Sequence, residues 1–256
     1  MKLEFIGTGA ADFNIAKRVE GEFFRRWSCT LVDDSLLIDP GPHVKDYLDK
    51  NGCPELLDKV EYVLVTHAHG DHLDMDTVKM LVEKNPNIKF WGGKASAGRI
   101  RELSENVTEV EFNKPFECGK YTVTPYHGNH SPMVYGEQSY LYVIDDGEKK
   151  MFYATDTSWL PSETWIVARK THQFDCIIME VTLGDVEGDY RIFEHNNIRM
   201  VEIMLETFRK TGFAKPECKV IATHIAKYPH ESHEKLSERL AGFDMITAYD
   251  GYTIEI

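Results

Sequence analysis

The stretch THAHGDH (66–72) places three imidazoles and one carboxylate within six residues, directly after a short apolar run. Imidazole nitrogens and carboxylate oxygens are the usual protein ligands of zinc, manganese and iron ions. His67 and His69 are two residues apart and can converge on one ion, whereas the adjacent Asp71 and His72 can point toward a second. Because a strand end fixes the base of such a loop, the stretch predicts a metal site at a sheet edge.

Three further candidate ligands follow predicted strands elsewhere in the chain. His130, Asp156 and His224 each come after a short run rich in β-branched or aromatic residues. Side chains at the ends of separate strands can converge on one edge of a sheet, so these three are expected to meet the THAHGDH loop. His127 competes with His130 for the same role and would otherwise lie in the pocket wall.

Short β-like runs alternate with amphipathic stretches along the whole chain. Predicted strands cover residues 2–7, 29–39, 60–66, 87–92, 120–126, 139–145, 149–155, 176–181, 219–223 and 253–256. Predicted helices cover residues 74–85, 95–106, 196–212 and 233–242. This alternation favours an α/β fold in which two sheets are layered between helices. The 256 residues are expected to form one domain, 1–256.

Composition restricts the partners and the compartment. The net charge of −13 disfavours nucleic acid as a partner, because it repels a long polyanion. No apolar run approaches the roughly 20 residues of a membrane span. The N-terminus lacks a basic region followed by a long apolar stretch, so no signal peptide and a cytoplasmic location are expected. Five scattered cysteines without a C-x-x-C pair predict free thiols rather than a disulfide or a cysteine zinc site.

Seven motifs in one order carry a resemblance to a known family. They are FIGTGAAD, LLIDPG, THAHGDH, NHSPMVYGEQSYLYV, YATDT, IIMEVT and VIATHIAKY. Together they resemble the metallo-β-lactamase fold. They are most similar to its phosphodiesterase branch, which includes ribonuclease Z and the cyclic phosphate phosphodiesterase of phosphonate breakdown. The resemblance spans nearly the whole chain and implies a four-layer αββα sandwich.

The resemblance also implies a ligand set for two divalent ions, zinc or manganese, with iron as a further candidate. One ion would be held by His67, His69 and His130, since the NHS segment favours His130 over His127. The other ion would be held by Asp71, His72 and His224, with Asp156 bridging both. Asp39 would accept a hydrogen bond from a ligand imidazole and fix its tautomer.

The implied activity is hydrolysis of a small phosphodiester, linear or cyclic, by a hydroxide that bridges the two ions. Two divalent ions outweigh the two ligand carboxylates, so a small anionic substrate is expected despite the charge of the chain. Asp71, His195 and Glu180 are the candidate catalytic residues. His195 would protonate the leaving group and Glu180 would orient it. Alternatively, His195 caps a helix or lies at the surface, and Glu180 is a buried structural carboxylate.

The chain departs from its relatives in two places. It is short for the extended arm with which ribonuclease Z grips transfer RNA. Its N-terminal region has only Cys29, so the structural zinc of the cyclic phosphodiesterase is expected to be absent. An ester, thioester or lactam hydrolase with the same site, and a metal-dependent sensing or binding module, are the alternatives. Homodimers are common among similar proteins, and a homodimer is a candidate assembly here.

Several polar residues lie outside the implied site. Arg25 and Arg26 either reach a substrate phosphate from a mobile loop or form a solvated charge pair. Lys227 lies near the arginine of the last motif and is a further phosphate contact. The segment WGGKASAG (91–98) lacks the spacing of a phosphate-binding loop and predicts a strand-to-helix turn. Solvated surface positions are expected for the remaining histidines, His43, His172, His230 and His233.

Overall fold

The computed structural model describes residues 1–19, 23–130 and 136–256. Residues 131–135 of the predicted third-histidine segment and residues 20–22 of the N-terminal region therefore lie outside the described part. Within it, the strands form two seven-stranded sheets. In spatial order, the strands of the first sheet are Tyr252–Glu255 (β14), Lys2–Gly7 (β1), Cys29–Val32 (β2), Leu36–Ile38 (β3), Tyr62–Leu64 (β4), Lys89–Gly92 (β5) and Val107–Glu109 (β6).

The second sheet has the same mixture of antiparallel and parallel pairs. Its strands, in spatial order, are Met245–Thr247 (β13), Ala214–Thr223 (β12), Phe174–Glu180 (β11), Lys150–Ala154 (β10), Tyr140–Asp145 (β9), Tyr121–His127 (β8) and Phe116–Cys118 (β7). Strands β7 to β10 pair as an antiparallel meander, and β10 to β13 pair in parallel. In the first sheet, β3 to β6 are parallel. Parallel strands send their carboxyl ends, and the loops that follow them, to one edge.

The helices begin and end where the local sequence provides caps. They are Val44–Asn51 (α1), Met75–Lys84 (α2), Lys94–Ile100 (α3), Ser162–Thr171 (α4), Ile198–Thr211 (α5) and His233–Ala241 (α6), with 3₁₀ segments at Ile15–Lys17, Pro54–Leu57 and Tyr190–Phe193. The side chains of Asp74, Asn197 and Ser232 each accept a bond from a backbone amide in the first helical turn. Gly52 and Gly212 end α1 and α5 in the left-handed conformation that glycine adopts without strain.

Three apolar layers show how the elements stack. The layer between the sheets contains Phe5 from the first and Tyr153 and Ile178 from the second. A second layer packs α4, α5 and α6 against the outer face of the second sheet, and a third packs α1, α2 and α3 against the first. The predicted four-layer αββα sandwich is therefore confirmed. None of the described helices combines the length and apolarity that a membrane span requires.

The structure changes some predicted boundaries. The apolar run at 29–39 divides into β2 and β3, because Asp33 and Asp34 turn the chain with φ of 46° and 59°. The predicted helix 95–106 ends at Ile100, and α1 and α4 were not predicted. Helix α4 was missed because its large apolar residues, 165–167, are consecutive rather than at helical spacing, and Ile166 is exposed. All five cysteines are free thiols, as expected.

The expected surface position of His43 is wrong. Its side chain is 7% exposed and stacks on the Trp27 indole, with ring centroids 4.2 Å apart. Its Nδ1 accepts a hydrogen bond from the backbone N–H of Trp27 at 3.1 Å, so this nitrogen carries no proton. Burial is the main cause that lowers the pKa of His43 from 6.5 to about 4.

This depressed pKa predicts acid sensitivity of the fold. Above pH 6.5 His43 is neutral in both the folded and the unfolded state, so its contribution to the free energy of unfolding is fully present. This contribution is lost as the pH falls from 6.5 through 4, because only the unfolded chain takes up the proton readily. Between pH 6.5 and pH 4, the free energy of unfolding of His43→Gln should therefore fall by about 2 kcal/mol less than that of the wild type. Denaturant titrations at pH 7 and pH 4.5 measure it. The half-exposed His127→Gln is the control, and identical pH slopes for wild type and His43→Gln would contradict the prediction.

Candidate metal centre

The predicted ligands leave the ends of strands from both sheets. The loop after β4 carries His67, and the ends of β8, β10 and β12 are followed by His130, Asp156 and His224. Each of these four side chains is almost entirely buried. They therefore meet at one edge of the sandwich, where the two sheets face each other.

One subset of the cluster consists of three imidazoles. His69 lies between the other two, with its Nδ1 2.9 Å from Nε2 of His67 and 3.2 Å from Nε2 of His130. The pKa of each of the three rings is lowered, mainly by burial, so all three are neutral at physiological pH. A neutral imidazole with a free lone pair is the form that binds a metal ion.

A second subset combines two imidazoles with a carboxylate. Oδ2 of Asp71 lies 3.3 Å from Nε2 of His72 and 3.7 Å from Nε2 of His224. Asp156 stands between the subsets, because its Oδ2 lies 2.8 Å from Nε2 of His72 and 3.2 Å from Nε2 of His224. The ligand atoms of His67, His72 and Asp156 also lie within 4.8 Å of one another. Asp156 is thus placed to contact ions held by either subset.

The donor set fits a metal ion on one observation in particular. Nε2 of His72, Oδ2 of Asp156 and Nε2 of His224 are buried and make no hydrogen bond to the described residues, although they lie close together. The short contact between His72 and Asp156 is not aligned as a hydrogen bond. Buried polar atoms normally have partners, and each orphaned one costs free energy. These three atoms converge without hydrogen bonding to one another, and an ion between them would satisfy all three.

Hydrogen bonds on the far side of the rings aim the ligands inward. Asp39 accepts bonds from Nδ1 of His72 at 2.8 Å and from both the backbone N–H and the hydroxyl of Thr66. The Thr182 hydroxyl lies 2.8 Å from Nδ1 of His224 and donates to the backbone carbonyl of the same residue. Such contacts fix the tautomer and leave Nε2 directed at the centre. Asp39 has the position that the sequence predicted; Thr182 was not predicted.

Backbone strain is concentrated at the same place. Asp39, Asp156 and His224 have φ of 60°, 48° and 49°, in the left-handed region that non-glycine residues adopt at a cost. Strain of this kind clusters at functional sites, where the surrounding structure enforces it.

The carboxylates favour a positive charge between them. Burial disfavours a charged ring at His72, but Asp156, Asp71 and Asp39 outweigh it and hold the pKa of His72 well above its ordinary value. Burial likewise favours neutral Asp71 and Asp156, but His72 and its neighbours hold the pKa of both carboxyl groups well below the usual range. A metal ion supplies the required positive charge more fully than a proton on His72 does.

His195 and Glu180 form an ion pair at the border of the cluster. Nδ1 of His195 lies 3.1 Å from both carboxylate oxygens of Glu180 and 3.7 Å from Oδ1 of Asp156. Burial lowers the basicity of this ring, but the Glu180 carboxylate outweighs it and raises the pKa of His195 to about 9. Glu180 is completely buried and also accepts a bond from the backbone N–H of Thr157, which is next to Asp156. The pair is therefore held beside the candidate ligands.

Gly41 is a second feature that sequence reasoning missed, although it ends the LLIDPG motif. A Cβ atom at this position would lie 2.3 Å from the backbone carbonyl oxygen of Asp71. Non-bonded carbon and oxygen atoms do not approach so closely, and the carbonyl belongs to the backbone, so it cannot rotate away as a flexible side chain would. Any larger residue must therefore displace the loop that carries Asp71 and His72.

We expect Gly41→Ala to lower metal affinity by about 10–100-fold, the usual cost of disturbing groups that support metal ligands. Gly70→Ala is the matched control, since Gly70 lies in the ligand loop itself and its added Cβ would meet nothing within 4 Å. Competition with a fluorescent chelator measures both affinities. Equal affinities for the two variants would show that this close approach does not position Asp71.

Other predicted residues lie outside the cluster. His127 pairs with Glu163 at 3.0 Å and stacks on Phe112. Arg25 and Arg26 are only 2% and 6% exposed, so the expected solvated charge pair is wrong.

The remaining expectations have mixed outcomes. The segment 91–98 forms the predicted strand-to-helix turn, and the Glu137 carboxylate accepts bonds from two backbone amides there. The backbone N–H of Lys227 donates to Asp12. His172 and His230 are half-buried, and burial lowers the pKa of each to about 4, so neither is a solvated surface histidine.

Comparison with known proteins gives a consistent result. A family model described as a beta-lactamase superfamily domain matches residues 35–225. The chain is 27% identical over 139 residues to a UPF0173 metal-dependent hydrolase of Koribacter versatilis, a match that covers 48% of this chain and 54% of that protein. The chain spans between 54% and 60% of the length of three such UPF0173 relatives.

Two solved structures share the arrangement of the whole chain. A diphosphatase from the PhnP family aligns with a TM-score of 0.73 at 17% identity, covering 100% of this chain and 96% of that one. The short form of human tRNase Z aligns with a TM-score of 0.72 at 18% identity, covering 100% and 99%. At these identities the two structures establish a shared fold.

Proposed function

The chain belongs to the beta-lactamase superfamily, and on this premise we propose that it is a metal-dependent hydrolase, namely a dinuclear phosphodiesterase for a small anionic substrate. The family match confirms the resemblance that the sequence motifs indicated. The hydrolytic activity, the number of ions and the substrate class are the parts that we propose. The geometry of the described residues supports them.

Two sets of residues would hold the ions. His67, His69 and His130 supply three neutral imidazoles for one ion. Asp71, His72 and His224 supply the second set, and Asp156 would contact both ions. Divalent ions in such a site would polarise a phosphoryl oxygen and make a coordinated water acidic enough to ionise near neutral pH.

The observation that carries the proposal is the ion pair of His195 and Glu180 beside the cluster. Alkoxide leaving groups of phosphodiesters are poor, and they depart more readily when a positioned acid gives them a proton. The imidazolium of His195 can supply it, while both Glu180 oxygens at 3.1 Å keep Nδ1 engaged and leave Nε2 to face the substrate. Glu180 therefore orients His195 and stabilises its charged form.

Charge and comparison support the substrate class. Two divalent ions would exceed the charge of Asp71 and Asp156, so the centre attracts an anion although the whole chain carries −13. At physiological salt, screening limits the range over which the other charges of the chain act to about 8 Å. One structural neighbour is called a diphosphatase, and by that name it acts on phosphorus–oxygen bonds. These points favour a phosphodiester over a neutral ester or lactam.

Metal-reconstituted protein tests the proposal. The chain is stripped of metal, reloaded with zinc or manganese, and analysed for metal content per chain. It is then assayed against bis(p-nitrophenyl) phosphate, linear and cyclic phosphodiesters, and a panel of esters, thioesters and lactams. We expect two ions per chain and turnover of phosphodiesters. Turnover of the ester or lactam panel alone, or one ion per fully active chain, would overturn the proposal.

A further inference from the structure

Arg25 is a buried cation without a carboxylate partner. Its guanidinium donates to the Thr8 hydroxyl and to the Ala248 carbonyl, both at 2.7 Å, and its Nη2 lies 3.0 Å from Nδ1 of His233. No carboxylate of the described residues lies within ion-pair distance of it. Burial lowers the pKa of Arg25 to about 10, which leaves it charged at neutral pH.

The adjacent arginine shows how this protein pairs a buried cation elsewhere. Arg26 contacts Asp46 at 2.7 Å and Asp250 at 3.3 Å. Asp250 also accepts bonds from Thr8, and its charge favours the cationic form of Arg25 without an ion pair between the two. A buried charge is costly unless it is paired, and Arg26 has two carboxylates in direct contact whereas Arg25 has none among the described residues. Arg25 is therefore the one of the two arginines that could take a further anionic partner.

A cavity of about 290 Å³ opens at the Arg25 guanidinium. Ile225 and Ala226, which directly follow the candidate ligand His224 in the chain, form part of its wall. Its volume is far greater than the roughly 30 Å³ of one water molecule. The Glu231 carboxylate also lines it, but Lys235 holds this group in an ion pair at 2.5 Å.

Two imidazoles and a helix end complete the polar lining. Nε2 of His230 is buried and has no hydrogen-bond partner among the described residues. His233 is the first residue of α6, whose N-terminal amides carry partial positive charge, and its ring stacks on Phe23 with centroids 4.9 Å apart. The cavity is thus lined by Arg25, His230 and the first residue of α6, and the unpartnered ring nitrogen of His230 is buried beside it.

We propose that this cavity binds an oxyanion, a phosphate or carboxylate group, with Arg25 as its principal contact. The guanidinium would donate to the oxyanion, and Nε2 of His230 would gain the acceptor that it lacks. Two sources have this chemistry: a second anionic group on the substrate, or a free anion that acts as an effector. Only the first source rests on the proposed function.

The location of the anion is tested in crystals of the metal-loaded protein soaked in tungstate, whose anomalous signal marks its position. We expect one peak beside Arg25 in addition to any peak at the metals. Tungstate at the metal centre only would overturn the proposal. The measurement needs no turnover, so it remains informative for a protein that hydrolyses no phosphodiester.

Calorimetric titration of the metal-loaded protein with inorganic phosphate provides a second measurement. Arg25→Gln should weaken the binding assigned to the cavity at least tenfold, and Arg25→Lys should weaken it less. His233→Gln, at a half-buried position, provides a readout if the Arg25 variants fold poorly. Arg18→Gln is the matched control, because it removes the same charge from a half-exposed position that faces Asp46. Unchanged phosphate binding in Arg25→Gln and His233→Gln would contradict the site.

Kinetics separates the two sources of the anion. If the substrate provides it, Arg25→Gln raises KM for a phosphodiester with a second phosphate and leaves KM for bis(p-nitrophenyl) phosphate unchanged. If a free anion provides it, phosphate changes turnover of bis(p-nitrophenyl) phosphate in the wild type and not in Arg25→Gln. Either result supports the site and assigns its ligand. No effect of Arg25→Gln on any of these quantities would count against a site that acts in turnover.

Discussion

Substitution of Asp156 by asparagine should remove metal from the protein and lower kcat/KM at least about 10³-fold, since metal contacts to the reacting group contribute several kcal/mol. Its Oδ2 is buried, has no hydrogen-bond partner among the described residues, and lies close to His72 and His224. The amide keeps the shape of the side chain but loses the charge that would neutralise the ions. If Asp156 contacts both ions, both are bound more weakly.

The backbone provides a matched control for this variant. Asp156 has φ of 48°, and asparagine tolerates the left-handed region, so the substitution does not add strain. Asp34 has φ of 59° in an exposed turn, where it pairs with Lys2. Asp34→Asn should therefore leave metal content and activity unchanged. Full metal content in Asp156→Asn, measured by mass spectrometry after gel filtration, would show that Asp156 is not a ligand.

The part of the site that could be predicted is the part that local sequence determines. In THAHGDH the spacing of four ligand groups is itself the signal, and the apolar run before it marks the strand that supports it. His130, Asp156 and His224 could be placed because each comes within three residues of a strand end, and strand ends meet at a sheet edge. The resemblance to a family then gave these positions an order and roles.

The rest depended on contacts between distant parts of the chain. His43 and Arg25 are polar residues, and nothing local shows that His43 stacks on Trp27 or that Arg25 donates to the distant Ala248 carbonyl. Gly41 matters only because the Asp71 carbonyl approaches it from another loop. Thr182 supports His224 across two strands. Each of these facts is set by tertiary packing, which a linear pattern does not record.

Substitution of His195 by glutamine should lower kcat by about 10²–10⁴-fold for phosphodiesters with an alkoxide leaving group, the usual contribution of a positioned acid. The effect should depend on the leaving group. Bis(p-nitrophenyl) phosphate releases a stabilised phenolate that needs no proton, so its kcat should change less than tenfold. Metal content should stay the same, because the ligand atoms of the two proposed sets do not include His195.

A matched imidazole–carboxylate pair tests whether position matters. His127 lies 3.0 Å from Glu163 as His195 lies 3.1 Å from Glu180, but His127 is outside the metal cluster. His127→Gln should therefore leave kcat unchanged for every substrate. Glu180→Gln should resemble His195→Gln, because the neutral amide no longer stabilises the charged ring. A general acid affects only leaving groups that need its proton. If His195→Gln slowed activated and unactivated substrates equally, or if it lost metal, His195 would therefore act as a ligand or a structural residue.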